Sequence, residues 1–158
     1  MKKIGLYEIS VIIFFVLLPV GGSIIETSIL KVRVNMYSAM FRWFVFSGVG
    51  LRLISAGVKQ TMNPSFTAKE IFRVSDEKSF PMVREIGFGN ISLGVIGILS
   101  FFFYEFRLGA AVAGGLYFGL AGCLHVFSKK RSKDEVFAML SDYFIFLVLV
   151  ILFFINLK

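Results

Sequence analysis

The sequence predicts an all-α polytopic membrane protein, a single domain over residues 1–158 that folds as a bundle of five transmembrane helices. Three observations predict it. Hydrophobic residues make up 57% of the chain, 20 of them Phe, while only 17% are charged, and mean hydropathy is +0.83. A soluble domain of this size could not cover so much apolar surface with so few charges, so lipid must be the solvent. Finally, apolar runs near the roughly 20 residues needed to cross about 30 Å of hydrocarbon recur along the chain.

The first span is expected over 9–30; it is free of charge as far as Ile25 and continues past Glu26 to Leu30. Lys2 and Lys3 ahead of it, with Pro19, Gly21, Gly22 and Ser23 inside it, also fit a secretory signal peptide. The apolar run resumes through Ile24, Ile25 and Ile29, which favours a retained span kinked at Pro19. The second span, 38–58, carries Arg42 and Arg52 and is uninterrupted only over 43–51. Its other residues are aromatic, aliphatic or small, as suits a helix whose polar face points into a bundle.

A polar connection follows over 59–84, with Pro64 and Pro81 near its ends. Within it Phe66, Ile71, Phe72 and Val74 are interleaved with Lys69, Glu70 and Arg73, an imperfect amphipathic pattern that fits a short interfacial helix or an irregular loop. The third and fourth spans, 86–104 and 108–128, have no formal charge when His125 is neutral. The fifth, 136–157, is interrupted only by Asp142.

Loop charge predicts orientation in the cell membrane. With five spans, eleven Lys and Arg lie on one side and four on the other, so the N-terminus is expected in the cytoplasm and the C-terminus outside. A four-span alternative, in which 38–58 does not cross, gives thirteen inside against four outside, so charge does not separate the two. Both orient the last three helices alike.

The excess of 17 Lys and Arg over 10 acids fits loops held against anionic lipid headgroups, with no nucleic-acid partner needed. The bilayer is the expected partner, and a second copy or another membrane protein a further one. One Cys and one His, Cys123 and His125, exclude an intrachain disulfide, Cys/His zinc clusters and bis-histidine haem ligation. No metal or cofactor is expected. On an apolar helix Cys123 reads as packing, and the Phe-rich runs 101–103 and 144–154 as lipid-facing or core.

Helical spacing and depth single out a smaller set. Gly87, Asn90, Gly94 and Gly97 follow at three or four residues in the third span, as do Ala111, Gly115, Gly119, Gly122 and His125 in the fourth. Such stripes let membrane helices approach closely, and the two spans are expected to pack on each other with Asn90 and His125 facing inward.

Arg52 and Asp142 each lie six residues from the cytoplasmic end of their spans, about 9 Å deep at ~1.5 Å per residue. Glu85, His125 and Asn90 share that third of the membrane. Together Arg52, Glu85, Asn90, His125 and Asp142 suggest a polar pocket open to the cytoplasm, with Arg52 as cation and the two carboxylates as counter-ions. It could bind a small anionic or amphipathic ligand, or pass a proton.

A plainer reading stands beside it. Glu85 and Asp142 near helix N-termini and His125 near a C-terminus would suit the helix macrodipole, and Arg52 could snorkel to the headgroups. Glu26 and Arg42, at the opposite end, read as an interhelical ion pair.

Three classes of function remain: a binding or transport protein using the pocket, a structural or accessory subunit needing only its surface, and a membrane enzyme using Glu85, His125 or Asp142 as acid or base. No nucleophile elbow, metal motif or nucleotide loop supports the third.

From Phe41 onward the chain also resembles an uncharacterised family, a domain of unknown function, of small prokaryotic integral membrane proteins. The residues that carry it are Arg42-Trp43 with Gly48 and Gly50, then Glu85, Gly87, Phe88, Asn90, Leu93-Gly94 and Gly97, then Gly119, Gly122, His125 and Asp142. The arrangement of spans is distantly similar to DoxX-type membrane proteins. Where the resemblance implies a histidine near the end of the second span, this chain has Ala56-Gly57-Val58-Lys59, and a tryptophan implied in the next loop is replaced near Arg73. The resemblance implies a helical membrane bundle and no particular activity.

Overall fold

A computed structural model describes residues 5–127 and 133–157. Lys2, Lys3, Ser128, Lys129, Lys130, Arg131 and Lys158, which entered the span limits and the charge count, lie outside the described residues. Five helices are long and apolar enough to cross a membrane: α1 (Leu6–Ile29), α2 (Met36–Met62), α4 (Glu77–Phe102), α5 (Glu105–Val126) and α6 (Lys133–Asn156). A short helical segment, α3 (64–71), lies between α2 and α4. Large apolar side chains such as Leu116, Leu120, Leu140, Ile151 and Phe154 cover the outer faces and stay more than half exposed, as lipid contact requires.

The second span, the weakest by composition, is the central helix. Half of its core stretch is buried inside the protein, against 22% for α1 and for α6. It packs against α1, α4, α5 and α6, so its neighbours are protein rather than lipid and its lower apolarity costs little.

The connection expected over 59–84 is much shorter than it reads. Residues 59–62 complete α2, and 77–84 already belong to α4. Helices do not stop where the hydrocarbon stops: Lys, Gln, Glu and Arg are good helix formers, and their long side chains reach into the headgroup layer. Segment 64–71 is helical, but with Thr67 and Ala68 buried and Lys69 and Glu70 exposed it caps the end of the bundle.

Pro19 is accommodated by a widened turn. Over Ile13–Leu17 the helix is π-helical, and the Leu18 N–H reaches back five residues to Ile13 O. Phe14 O is thereby left without a helical donor, because its next candidate, Pro19, has no N–H. Ser47 of α2 fills the vacancy, its hydroxyl donating to Phe14 O at 2.6 Å. Ser47 itself lies in a second π-helical stretch, Val45–Leu51.

The small-residue stripes do not face each other as expected. Gly87, Gly94 and Gly97 lie against α2, where an added Cβ would come 2.5–2.9 Å from Gly50 or Gly57 backbone atoms. Gly115, Gly119 and Gly122 lie instead against Leu149, Phe146 and Tyr143 of α6. Spacing identifies a close-packing face but not the helix it meets.

Opposite the capped end, Glu26 is buried and forms an ion pair with Arg42. Its other oxygen accepts from Trp43 Nε1 at 2.8 Å. The pair joins α1 to α2 as its sequence positions suggest.

Candidate functional site

A cavity of about 130 Å³ opens at the α3 end of the bundle, and every helix contributes to its wall. Arg52 comes from α2 just after the π-helical stretch. One extra residue in a turn rotates everything beyond it by about 100°, so that stretch decides which way Arg52 points. The Arg52 guanidinium sits 5.5 Å over the Tyr7 ring of α1. Its Nε is buried and has no hydrogen-bond partner among the described residues.

Asn90 of α4 is 2% exposed and donates from Nδ2 to Gln60 Oε1 at 2.7 Å. Its Oδ1 is left without a partner. Asp142 of α6, together with Tyr117 and His125 of α5, completes the wall.

Four of the five residues predicted for a pocket, Arg52, Asn90, His125 and Asp142, line this cavity. Glu85 does not: it lies on the exposed face of α4. Depth is linear in sequence, whereas facing depends on helix rotation. The macrodipole reading is also corrected for the acids, since α6 begins at Lys133 and α4 at Glu77, setting Asp142 and Glu85 beyond the first turn of each. His125 does lie in the last turn of α5. Arg52 keeps its Nε buried beside the cavity.

Several wall residues had gone unremarked. Tyr7, Lys59, Gln60 and Thr67 all line the cavity. Lys59 and Gln60 follow Arg52 by seven and eight residues, a helical repeat that shows only if α2 is carried beyond Val58. Cys123, read as packing, is exposed, with its Sγ 3.3 Å from the Tyr143 hydroxyl.

The cap is tied down at two points. Phe66 lies between the Tyr7 ring, 6.1 Å away, and Lys59, whose Nζ is 3.4 Å from the Phe66 ring centroid. At its far end Arg73, held in the left-handed region at φ 57°, places Nε 3.6 Å from Glu135 Oε2. The buried Glu135 also lies 3.5 Å from His125 Nδ1, so the same carboxylate joins the cap to the cavity wall.

Releasing the Arg73 tie should make the cavity easier to reach. In a Cys123→Ser background carrying Ala121→Cys on the wall, Arg73→Ala should raise labelling by a charged methanethiosulfonate about threefold. That size suits an ion pair on a side chain 39% exposed, worth at most ~1 kcal/mol. An unchanged rate would mean that the cap does not limit access.

Among the described residues no cluster of His, Cys, Asp or Glu is arranged to hold a metal ion. The model of a family described as a family of unknown function, DUF6790, matches residues 9–157, a longer stretch than the resemblance from Phe41 onward. No curated protein and no solved structure matches the chain.

Proposed function

The chain belongs to DUF6790, a family of unknown function with no activity to pass on, and we propose from the geometry of the cavity that it binds a small anionic or amphipathic ligand there, anchored by Arg52. The observation that carries this is the buried Arg52 Nε without a hydrogen-bond partner. A guanidinium group in the low-dielectric part of a membrane protein is expensive unless its donors are satisfied, and an oxyanion satisfies them best. Arg52 and Lys59 together place two cations on the wall against the one carboxylate of Asp142.

The accessory-subunit reading would call for an exposed stripe of small residues, and both stripes of this chain are covered by its own helices. For an acid–base enzyme the sequence offers no nucleophile elbow, metal motif or nucleotide loop in support.

The orientation we propose puts the cavity on the cytoplasmic side, with Lys69, Lys78 and Arg84 exposed at that end for anionic headgroups. Impermeant labelling of Ala121→Cys in a Cys123→Ser background, in right-side-out and in inverted vesicles, reads it directly, and faster labelling in right-side-out vesicles would reverse it.

Binding is tested by equilibrium dialysis of the protein in dodecyl maltoside against radiolabelled sulfate, phosphate and glycerol 3-phosphate. Saturable binding of at least one, weakened about tenfold or more by Arg52→Gln, is the expected result. No saturable binding of any of them, or binding that Arg52→Gln leaves unchanged, would reject the proposal.

A further inference from the structure

We infer that the ligand is not a bare anion but an oxyanion that also carries a hydrogen-bond donor, a hydroxyl or an ammonium group, close to its charged end. This rests on the binding function proposed above and narrows its chemical class. Two unsatisfied groups of opposite kind lie on the wall: the Arg52 Nε, a donor, and the Asn90 Oδ1, an acceptor. Asn90 is 2% exposed, so bulk water does not serve that oxygen.

An oxyanion without a proton, such as sulfate, would answer Arg52 and leave Asn90 unsatisfied, because it has no donor to give. It would also meet the Asp142 carboxylate on the same wall and be repelled. A molecule with an oxyanion at one position and a donor at another meets all three demands. The oxyanion takes Arg52 and Lys59, and the donor takes Asn90 Oδ1 and Asp142. Buried polar groups cost least when every one is paired, so the bifunctional molecule is favoured over either half alone.

Among the described residues, Arg52 and Asp142 form no direct ion pair even though both line a cavity of about 130 Å³. The cavity as a whole is the size of a small polar head. Glycerol phosphate has the required chemistry, whether as a free metabolite or as the head of a phospholipid.

The probes are glycerol 3-phosphate, sulfate, glycerol and dihexanoyl phosphatidylglycerol, with the full chain in dodecyl maltoside. Glycerol 3-phosphate is expected to bind about tenfold more tightly than sulfate, the step expected when one buried acceptor otherwise left unsatisfied gains its hydrogen bond. Glycerol alone should not bind measurably. Asn90→Leu should weaken glycerol 3-phosphate more than sulfate and so bring the ratio of the two affinities close to one. Asp142→Asn should strengthen sulfate and so narrow the ratio.

Displacement of bound glycerol 3-phosphate by dihexanoyl phosphatidylglycerol at lower concentration than by unlabelled glycerol 3-phosphate identifies a lipid headgroup, and the reverse identifies a free metabolite. Either outcome supports the class. Equal affinity of the wild-type protein for sulfate and glycerol 3-phosphate overturns this inference while leaving the anion site standing, and it needs no variant to fold. Failure of every oxyanion to bind overturns both.

Discussion

Replacing Gly97 with Leu should destabilise the protein by about 3 kcal/mol, at the top of the range for an overpacked core. An added Cβ at Gly97 would stand 2.5 Å from Gly50 N and 2.7 Å from Gly50 Cα. Those are backbone atoms, which cannot rotate aside as a side chain would. The same crossing brings a Cβ on Gly94 to 2.9 Å from Gly50 O and one on Gly57 to 2.5 Å from Gly87 O. α2 and α4 would have to separate along their length, taking Arg52 and Gln60 away from Asn90, so binding should fall with stability.

Gly89 is the control. It lies on the same helix with nothing within 4 Å of an added Cβ, so Gly89→Leu should change stability by no more than about 0.5 kcal/mol. Reversible unfolding in mixed dodecyl sulfate and dodecyl maltoside micelles measures both. Equal stability of the two variants would show that the α2–α4 contact is not the close backbone crossing described.

The second large effect concerns Glu26. Glu26→Leu should cost about 3 kcal/mol, because it strands the Arg42 cation where water is scarce and removes the acceptor of Trp43 Nε1. Among the described residues Arg42 keeps the face of Phe101, 5.1 Å away, and its 24% exposed side chain relieves part of the penalty. Arg42→Leu should cost less, about 2 kcal/mol, since the stranded carboxylate can take up a proton.

The double variant Glu26→Leu with Arg42→Leu should recover most of both losses, because two apolar side chains need no partners in this setting. A double-mutant cycle would then give a coupling of at least ~2 kcal/mol. Strict additivity would mean that the pair is not a unit and that α1 is held to α2 by packing alone. In that case the tie from Ser47 to Phe14 O, at 2.6 Å, would be the polar contact left to examine.

The resemblance rested on Arg42-Trp43, small residues and a few polar ones beyond Phe41, yet the family model begins at residue 9. From residue 9 onward the first span therefore belongs to the stretch that the family model matches. Within that stretch α1 supplies Glu26 to the buried pair, and just ahead of it Tyr7 lines the cavity. A purely apolar-looking anchor carries residues for both ends of the bundle.

Membrane placement, five helices and their approximate limits were legible in the chain, because lipid selects on length and apolarity and both are local. Position along each helix was legible for the same reason, and Arg52, Asn90, His125 and Asp142, grouped by it, line one cavity. What it could not supply was rotation about each helix axis, set by the π-helical turns at 13–17 and 45–51 and by the helices packed alongside. Rotation turned Glu85 outward and Gln60 inward, sent the Gly87–Gly97 stripe to α2, and joined Arg73 to Glu135 across 62 residues of sequence. The second span shows the division most sharply. Its charges weakened it as a crossing when judged alone, and only its enclosure by four other helices, which replaces lipid with protein around Arg42 and Arg52, makes it the centre of the bundle.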